Sequence, residues 1–99
     1  MKKDIFEYYA NAIAKQFHIG LDEMFTQTKQ GHIVDARQLL YFLCLKRNFK
    51  KSYIQTFLKE YGYIVSHSTI TYGSDQAKKL IKNDPDFAVM IKKIQDNDN

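Results

Sequence analysis

The sequence predicts an all-α fold, a compact bundle of five to six helices around one core. The chain has 99 residues, of which 44% are hydrophobic, and this suffices for one domain with a modest core. Only four glycines and one proline interrupt the chain, so it lacks the many turn residues that a β architecture needs. Apolar side chains recur instead at the three- and four-residue spacing of helices. We place the domain at residues 1–95 and expect a frayed polar tail at 96–99.

Three helices are predicted in the first half of the chain. Apolar residues recur at helical spacing over residues 5–17, and Gly20 is expected to end this stretch. Residues 21–25 predict a short helical turn that carries acidic side chains near its start. A polar loop follows at 26–31. Residues 34–47 then predict a third helix, which ends in basic side chains, as the helix dipole favours.

The fourth and fifth helices are predicted on either side of a short connector. Ser52 is the expected N-cap of the fourth helix, and Gly62 is expected to end it. Residues 63–65 form the connector. Ser66 is the expected N-cap of the fifth helix, which runs to Lys82.

Small residues form part of the inner stripe of the fifth helix, at Gly73, Ser74 and Ala77. Glycine in a helix interior costs about 1 kcal/mol relative to alanine. We therefore expect another helix to cross closely at Gly73. Beyond this helix, Asp84 and Pro85 predict the cap and the first residue of a last helix.

The positive charge of the chain is concentrated in its middle. The formal net charge is +4. Residues 29–61 carry seven Lys or Arg side chains against two acids, whereas residues 1–28 and 84–99 are mildly acidic. A basic stripe confined to one region is typical of proteins that bind nucleic acids. A solvated surface with chance clustering is the alternative explanation.

The order of helix, tight connector and helix over residues 52–82 is that of a helix-turn-helix. In this motif the N-terminal residues of the second helix meet base edges in the major groove. The side chains predicted to contact bases are therefore His67, Ser68, Thr71 and Tyr72. The side chains predicted to contact the DNA backbone include the four basic residues Lys46, Arg47, Lys50 and Lys51. The predicted partner is double-stranded DNA.

Each of these features also has an ordinary structural explanation. Ser66 and Thr69 can serve only as a helix cap. His67 can be a solvated surface residue, and Tyr72 can pack against the fold. The basic run can be a solvated helix end.

Three stretches resemble the C-terminal DNA-binding domain of the bacterial replication initiator DnaA. They are residues 33–40, Ile54 and residues 66–73, and the likeness extends over nearly the whole chain. That domain belongs with the Trp-repressor-like helix-turn-helix folds, so the resemblance implies the same fold here. It implies a role in the control of replication origins or of transcription.

The resemblance also implies roles for single residues. His67 and Ser68 match a His-Thr pair that meets base edges, and Thr69 matches a second Thr that contacts a phosphate. Arg37 and Gln38 match the end of an Arg-Pro-Arg-Gln segment, which implies contacts near the DNA backbone. Lys50 and Lys51 fall in the region of a basic loop that lies near the backbone.

Three positions depart from the family pattern. Asp35 stands where the family has an Arg that enters the minor groove, and a carboxylate is unfavourable in that electronegative groove. Ser66 replaces an Asp that helps to read a base, and Tyr72 replaces a later His. These departures argue against the usual initiator box as the target. The sequence also lacks a Gly-x-x-x-x-Gly-Lys-Ser/Thr loop, so we expect no nucleotide, no other cofactor and no ATPase activity.

We expect neither an enzyme nor a metalloprotein. His18, His32 and His67 are scattered along the chain, and no pair of ligand residues has a metal-binding spacing. Cys44 lies on a predicted core helix, where a small apolar side chain serves packing. The first residues lack the apolar run of a signal peptide, and no stretch of 18 apolar residues could span a membrane. The cytoplasm is therefore the expected location, and no membrane partner is expected.

Two other functions remain open at this point. The chain can be a protein-interaction module that has lost initiator-box reading, with its tyrosines forming the surface for a protein partner: Tyr8, Tyr9, Tyr53, Tyr61, Tyr63 and Tyr72. It can also be a Trp-repressor-like regulator of transcription that senses a ligand. The position of the basic residues 46–51 relative to His67 and Ser68 distinguishes DNA binding from the protein-interaction alternative.

Overall fold

The computed structural model describes residues 2–97, and these form six α-helices without a strand. The helices are α1 (Lys2–Phe17), α2 (Leu21–Met24), α3 (Gly31–Lys46), α4 (Lys51–Glu60), α5 (His67–Asn83) and α6 (Pro85–Asp96). Their radius of gyration is 12.1 Å, as for a compact domain of this length. The predicted all-α bundle is confirmed. Among residues 2–97 no helix is both long and apolar enough to cross a membrane.

The first helix starts earlier than the apolar spacing predicts, at Lys2 instead of residue 5. Contacts with α4 hold this extra turn. Lys3 forms an ion pair with Glu60, and Lys2 Nζ lies 5.2 Å from the centre of the Tyr53 ring. Since these partners lie more than 50 residues away in sequence, the local pattern could not show them.

Gly20 does not end the first helix. Phe17 is the last residue of α1, and His18 next to it takes a left-handed conformation with φ +57°. Gly20 is instead the N-cap residue of α2, and its N–H donates a hydrogen bond to Glu23 Oε1 at 3.1 Å. The glycine therefore begins a helix where we expected it to end one.

The starts of α3 and α4 also differ from the prediction. α3 begins at Gly31, three residues early, because the side chain of Ile33 is buried and secures the first turn. Ser52 does not cap α4. Lys50 takes the N-cap position in an extended conformation, and its carbonyl accepts hydrogen bonds from the N–H groups of Tyr53 and Ile54.

The remaining helix ends agree with the local signals. Ser66 caps α5, and its hydroxyl accepts a hydrogen bond from the Thr69 N–H at 3.1 Å. Asp84 caps α6 in the same way, with Pro85 as the first helical residue. Gly62 follows the end of α4 with φ +79°. At the C-terminus the prediction of a frayed tail at 96–99 is wrong for Asp96, which is the last residue of α6 and is followed by the C-cap residue Asn97. Asp98 and Asn99 lie outside the described residues.

Helix α3 lies at the centre of the bundle and contacts each of the other helices. Fully buried side chains from α1, α3, α4 and α5 form one continuous core, which includes Phe6, Leu39, Leu40, Leu43, Ile54, Leu58 and Ile70. The most extensive packing is between α3 and α5. This packing fixes the orientation of α5.

The predicted close crossing at Gly73 is confirmed. A Cβ atom on Gly73 would lie 2.7 Å from Cδ2 of Tyr41 and 3.3 Å from Cγ of Gln38, both on α3. Tyr41 is 2% exposed and belongs to the core. Only glycine allows α3 and α5 to approach this closely.

The Gly73→Ala substitution should lower the free energy of unfolding by about 1–2 kcal/mol, because the clash outweighs the better helix propensity of alanine. Gly31→Ala is the matched control, since a Cβ there meets nothing within 4 Å. It should leave stability unchanged or raise it by about 0.5 kcal/mol. Urea denaturation measures both changes. Equal effects of the two substitutions would contradict the close crossing.

Candidate nucleic-acid interface

The outer face of α5 carries the four side chains that the sequence predicts to contact bases. His67, Ser68, Thr71 and Tyr72 are all exposed in the first two turns, and Tyr72 is 62% exposed. The opposite face carries the buried residues Ile70, Gly73, Ser74 and Ala77. Because helix α5 packs through that opposite face, the four predicted side chains share one open surface.

Hydrogen bonds within α5 engage three of the hydroxyl groups near this surface. The hydroxyls of Ser66 and Thr69 lie 3.0 Å apart, and Ser66 also caps the helix. The Thr71 hydroxyl donates a hydrogen bond to the carbonyl of His67 at 3.1 Å. Ser66 therefore acts as a cap, and the Thr71 hydroxyl faces the helix backbone.

Two of the four basic residues of the 46–51 region border the same surface. Lys51 lines a shallow depression together with His67, Ser68, Thr71, Tyr72 and Asp75. An adjoining depression is lined by Phe42, Leu45, Lys46, Lys51, Thr71, Ser74, Asp75 and Lys78. Lys51, Thr71 and Asp75 belong to both depressions. The two depressions thus form one continuous surface, which we call the α5 surface.

Arg47 and Lys50 lie on the segment between α3 and α4. Arg47 is the exposed C-cap residue of α3, and Lys50 is the exposed N-cap residue of α4. They flank Lys46 and Lys51 in sequence but lie outside the linings of the two depressions. The rim of the α5 surface is therefore formed by Lys46 and Lys51.

Arg37 lies inside the fold, although the family resemblance implies a contact near the DNA backbone. Its side chain is 6% exposed, and its guanidinium donates three hydrogen bonds to carbonyl oxygens. Nη1 donates to Met24 at 3.1 Å and to Thr26 at 2.9 Å, and Nη2 donates to Thr28 at 2.7 Å. The guanidinium also lies 5.0 Å from the centre of the Tyr63 ring. Since these contacts engage the guanidinium inside the fold, Arg37 does not belong to the candidate interface.

Gln38 and Thr69, which the resemblance implies as contacts of the DNA backbone, lie outside the linings of the two depressions. Gln38 is half-buried on α3, and its Cγ atom approaches the position of Gly73. Gln38 therefore lies on the side of α5 that packs against α3, opposite the exposed face of the helix. Thr69 is exposed in the first turn of α5, where its hydroxyl is paired with that of Ser66.

Two charged residues of α5 belong to the α5 surface although they were not among the predicted contacts. Lys78 lies two turns after Thr71 on the same side of the helix, and it pairs with Asp75 at 3.7 Å. The helical spacing of seven residues was the signal that could have found Lys78. Asp75 introduces a negative charge between Lys51 and Lys78.

Two other titratable groups lie away from this surface. Asp35 is half-buried near the start of α3, and burial raises the pKa of its carboxyl while the nearby His32 opposes this rise. Cys44 is fully buried, and burial raises the pKa of its thiol. Within residues 2–97 no group of three or more His, Cys, Asp or Glu side chains could hold a metal ion.

Comparison of the chain with protein-family models, curated proteins and solved structures finds no match. The family resemblance therefore depends on the residues that carry it and on the order of the helices.

Arg37→Met should lower the free energy of unfolding by about 2–4 kcal/mol, because it removes three charge-assisted hydrogen bonds to the carbonyl groups of Met24, Thr26 and Thr28. Lys29→Met is the control, because it removes one positive charge from an exposed position on the same loop. Its effect should stay within about 0.5 kcal/mol. Urea denaturation compares the two variants. A loss for Arg37→Met no greater than that for Lys29→Met would show that the guanidinium does not anchor the loop.

Proposed function

We propose that the chain binds double-stranded DNA in a sequence-specific manner, with α4 and α5 acting as a helix-turn-helix and α5 as its recognition helix. The observation that carries this proposal is the position of Lys51 beside the exposed start of α5, with Lys46 beside the following turns. A set of polar side chains that can contact bases, bordered by cations that can contact phosphates, is what DNA recognition requires.

The dimensions of α5 suit the major groove of B-DNA. The helix has 17 residues and is therefore about 25 Å long. The major groove, about 12 Å wide, admits a helix with its side chains. The first two turns of α5 carry His67, Ser68, Thr71 and Tyr72 on the open side, where base edges would lie.

Lys46 and Lys51 would contact phosphates on one side of this groove, and Lys78 continues the positive border along α5. Arg47 and Lys50 extend the positive charge along the neighbouring segment. Asp75 lies between the lysines and disfavours a phosphate there. The charges thus favour phosphates at the border and bases near the start of α5.

The resemblance to the DNA-binding domain of the initiator DnaA supports a role in the control of replication origins or of transcription in the cytoplasm. Asp35 and Ser66 argue for a target other than the initiator box. Ser66 is engaged as the cap of α5. Within this proposal, His67 and Ser68 are the polar side chains that contact bases.

A protein-interaction surface receives less support from the tyrosines. Tyr9 and Tyr63 are buried and Tyr61 is half-buried, so the six tyrosines do not form one exposed patch. The exposed residues Ile64 and Tyr72 remain the specific observation in its favour. Tight binding to a protein together with no binding to duplex DNA at low salt would favour this alternative.

Lys46→Gln and Lys51→Gln should each weaken binding to all duplexes by about 5–10-fold at ~0.1 M salt, because each removes one phosphate contact. Each should also reduce the slope of log affinity against log salt by roughly 0.9. Fluorescence anisotropy with labelled duplexes at several salt concentrations measures both quantities.

Lys93→Gln is the matched control for Lys46→Gln. Both lysines lie in the last turn of a helix, so both substitutions remove the same interaction with the helix dipole. Lys93 borders a groove between α1 and α6, away from the α5 surface. Its substitution should leave the salt slope unchanged. Equal slopes for all three variants would contradict the assignment of the phosphate contacts.

Ser66→Ala and Ser68→Ala should separate the cap from the base contact. Ser66→Ala should lower the free energy of unfolding by about 1 kcal/mol through loss of the cap. Ser68→Ala and His67→Ala should change stability by less than about 0.5 kcal/mol. Each of the latter two should reduce the preference for one base by about 1 kcal/mol. Selection from a randomised duplex library measures the preference, and unchanged profiles for both variants would argue against base contacts.

A further inference from the structure

We infer that Thr71 determines specificity for thymine, because its γ-methyl group would contact the 5-methyl group of one thymine in the major groove. This inference rests on the proposed function, and it names a base that the target must contain. The structural basis is the hydrogen bond that the Thr71 side chain makes within α5.

The proton of the Thr71 hydroxyl is not available for donation to a base. The hydroxyl donates a hydrogen bond to the carbonyl of His67, one turn earlier, at 3.1 Å. Side chains of threonine bond in this way to the preceding turn of a helix, and the bond fixes the rotamer. Since Thr71 is exposed and its hydroxyl faces the backbone, the γ-methyl is the group that it offers to a ligand.

The surroundings of Thr71 favour an apolar contact at this point. Thr71 belongs to both depressions of the α5 surface, and the second contains the half-buried apolar side chains of Phe42 and Leu45. Lys51 and Asp75 border the same place with opposite charges. An apolar position inside a charged border matches an apolar group on the DNA.

Among the four standard bases, only thymine presents a methyl group in the major groove. Guanine O6 and the purine N7 atoms need a hydrogen-bond donor there, and the Thr71 hydroxyl already donates its proton to the carbonyl of His67. His67 and Ser68 are the neighbours that can form hydrogen bonds with base edges. The three residues together would read a thymine next to a polar base edge.

The test uses the duplex that the full chain selects from a randomised library, with each thymine replaced in turn by deoxyuridine. The wild-type protein should lose affinity by about fourfold at one thymine, the change that corresponds to one buried methyl group. Replacement of the other thymines should have little effect.

Two variants separate the methyl group from the hydroxyl. Thr71→Ser keeps the hydroxyl but lacks the methyl, so it should bind the thymine and deoxyuridine duplexes equally. Thr71→Val keeps a methyl but lacks the hydroxyl, so it should retain the preference. Because each ratio compares two duplexes for one protein sample, a change in the folded fraction cancels.

The inference is overturned if no deoxyuridine replacement weakens binding of the wild type, or if Thr71→Ser retains the preference for thymine. In either case a selected duplex would still support the proposed function. If the library yields no enriched duplex and binding is absent at low salt, the proposed function fails as well. The two failures are therefore distinguishable.

Discussion

The close crossing of α3 and α5 at Gly73 determines where the α5 surface lies. The Tyr41 ring occupies the space that any side chain at position 73 would need. Because α5 is held through this face, its opposite face is open to a ligand. The same packing brings the end of α3, with Lys46, beside Thr71 and Asp75 of α5. The proposed border of cations is thus a consequence of a contact in the core, where a missing Cβ allows two helices to approach.

Arg37 connects the segment that follows α2 to the connector between α4 and α5. Burial of a guanidinium is unfavourable unless its donors are paired, and here three carbonyl groups at the end of α2 and in the segment after it accept its hydrogen bonds. Its contact with the Tyr63 ring ties that segment to the connector that precedes α5. A cation engaged in this way stabilises the entry of α5. It can bind a phosphate only if these contacts break, so one arginine cannot serve both roles.

Local signals predicted the six helices, the caps at Ser66 and Asp84, and the crossing at Gly73, because each depends on residues close in sequence or on the absence of a side chain. The start of α1 and the start of α4 were not predictable, because distant contacts and the conformation of Lys50 determine them. The exposed start of α5 follows from the periodicity of its buried residues. The position of Lys51 beside Thr71 does not, since spacing along the chain carries no information on distance across the bundle.

The chemistry that α5 offers depends on hydrogen bonds within the helix as much as on residue type. Ser66, Thr69 and Thr71 all carry hydroxyl groups, and the sequence predicts the first as a cap and the other two as DNA contacts. The structure engages the first two in the cap and the third with the carbonyl of His67. The polar character of the open face is therefore left to its other side chains, His67 and Ser68 among them, and Thr71 contributes apolar surface. On the proposed function, a duplex would meet polar side chains at the start of α5 and the methyl group of Thr71 in its second turn. Such a surface would suit a thymine methyl group next to a polar base edge.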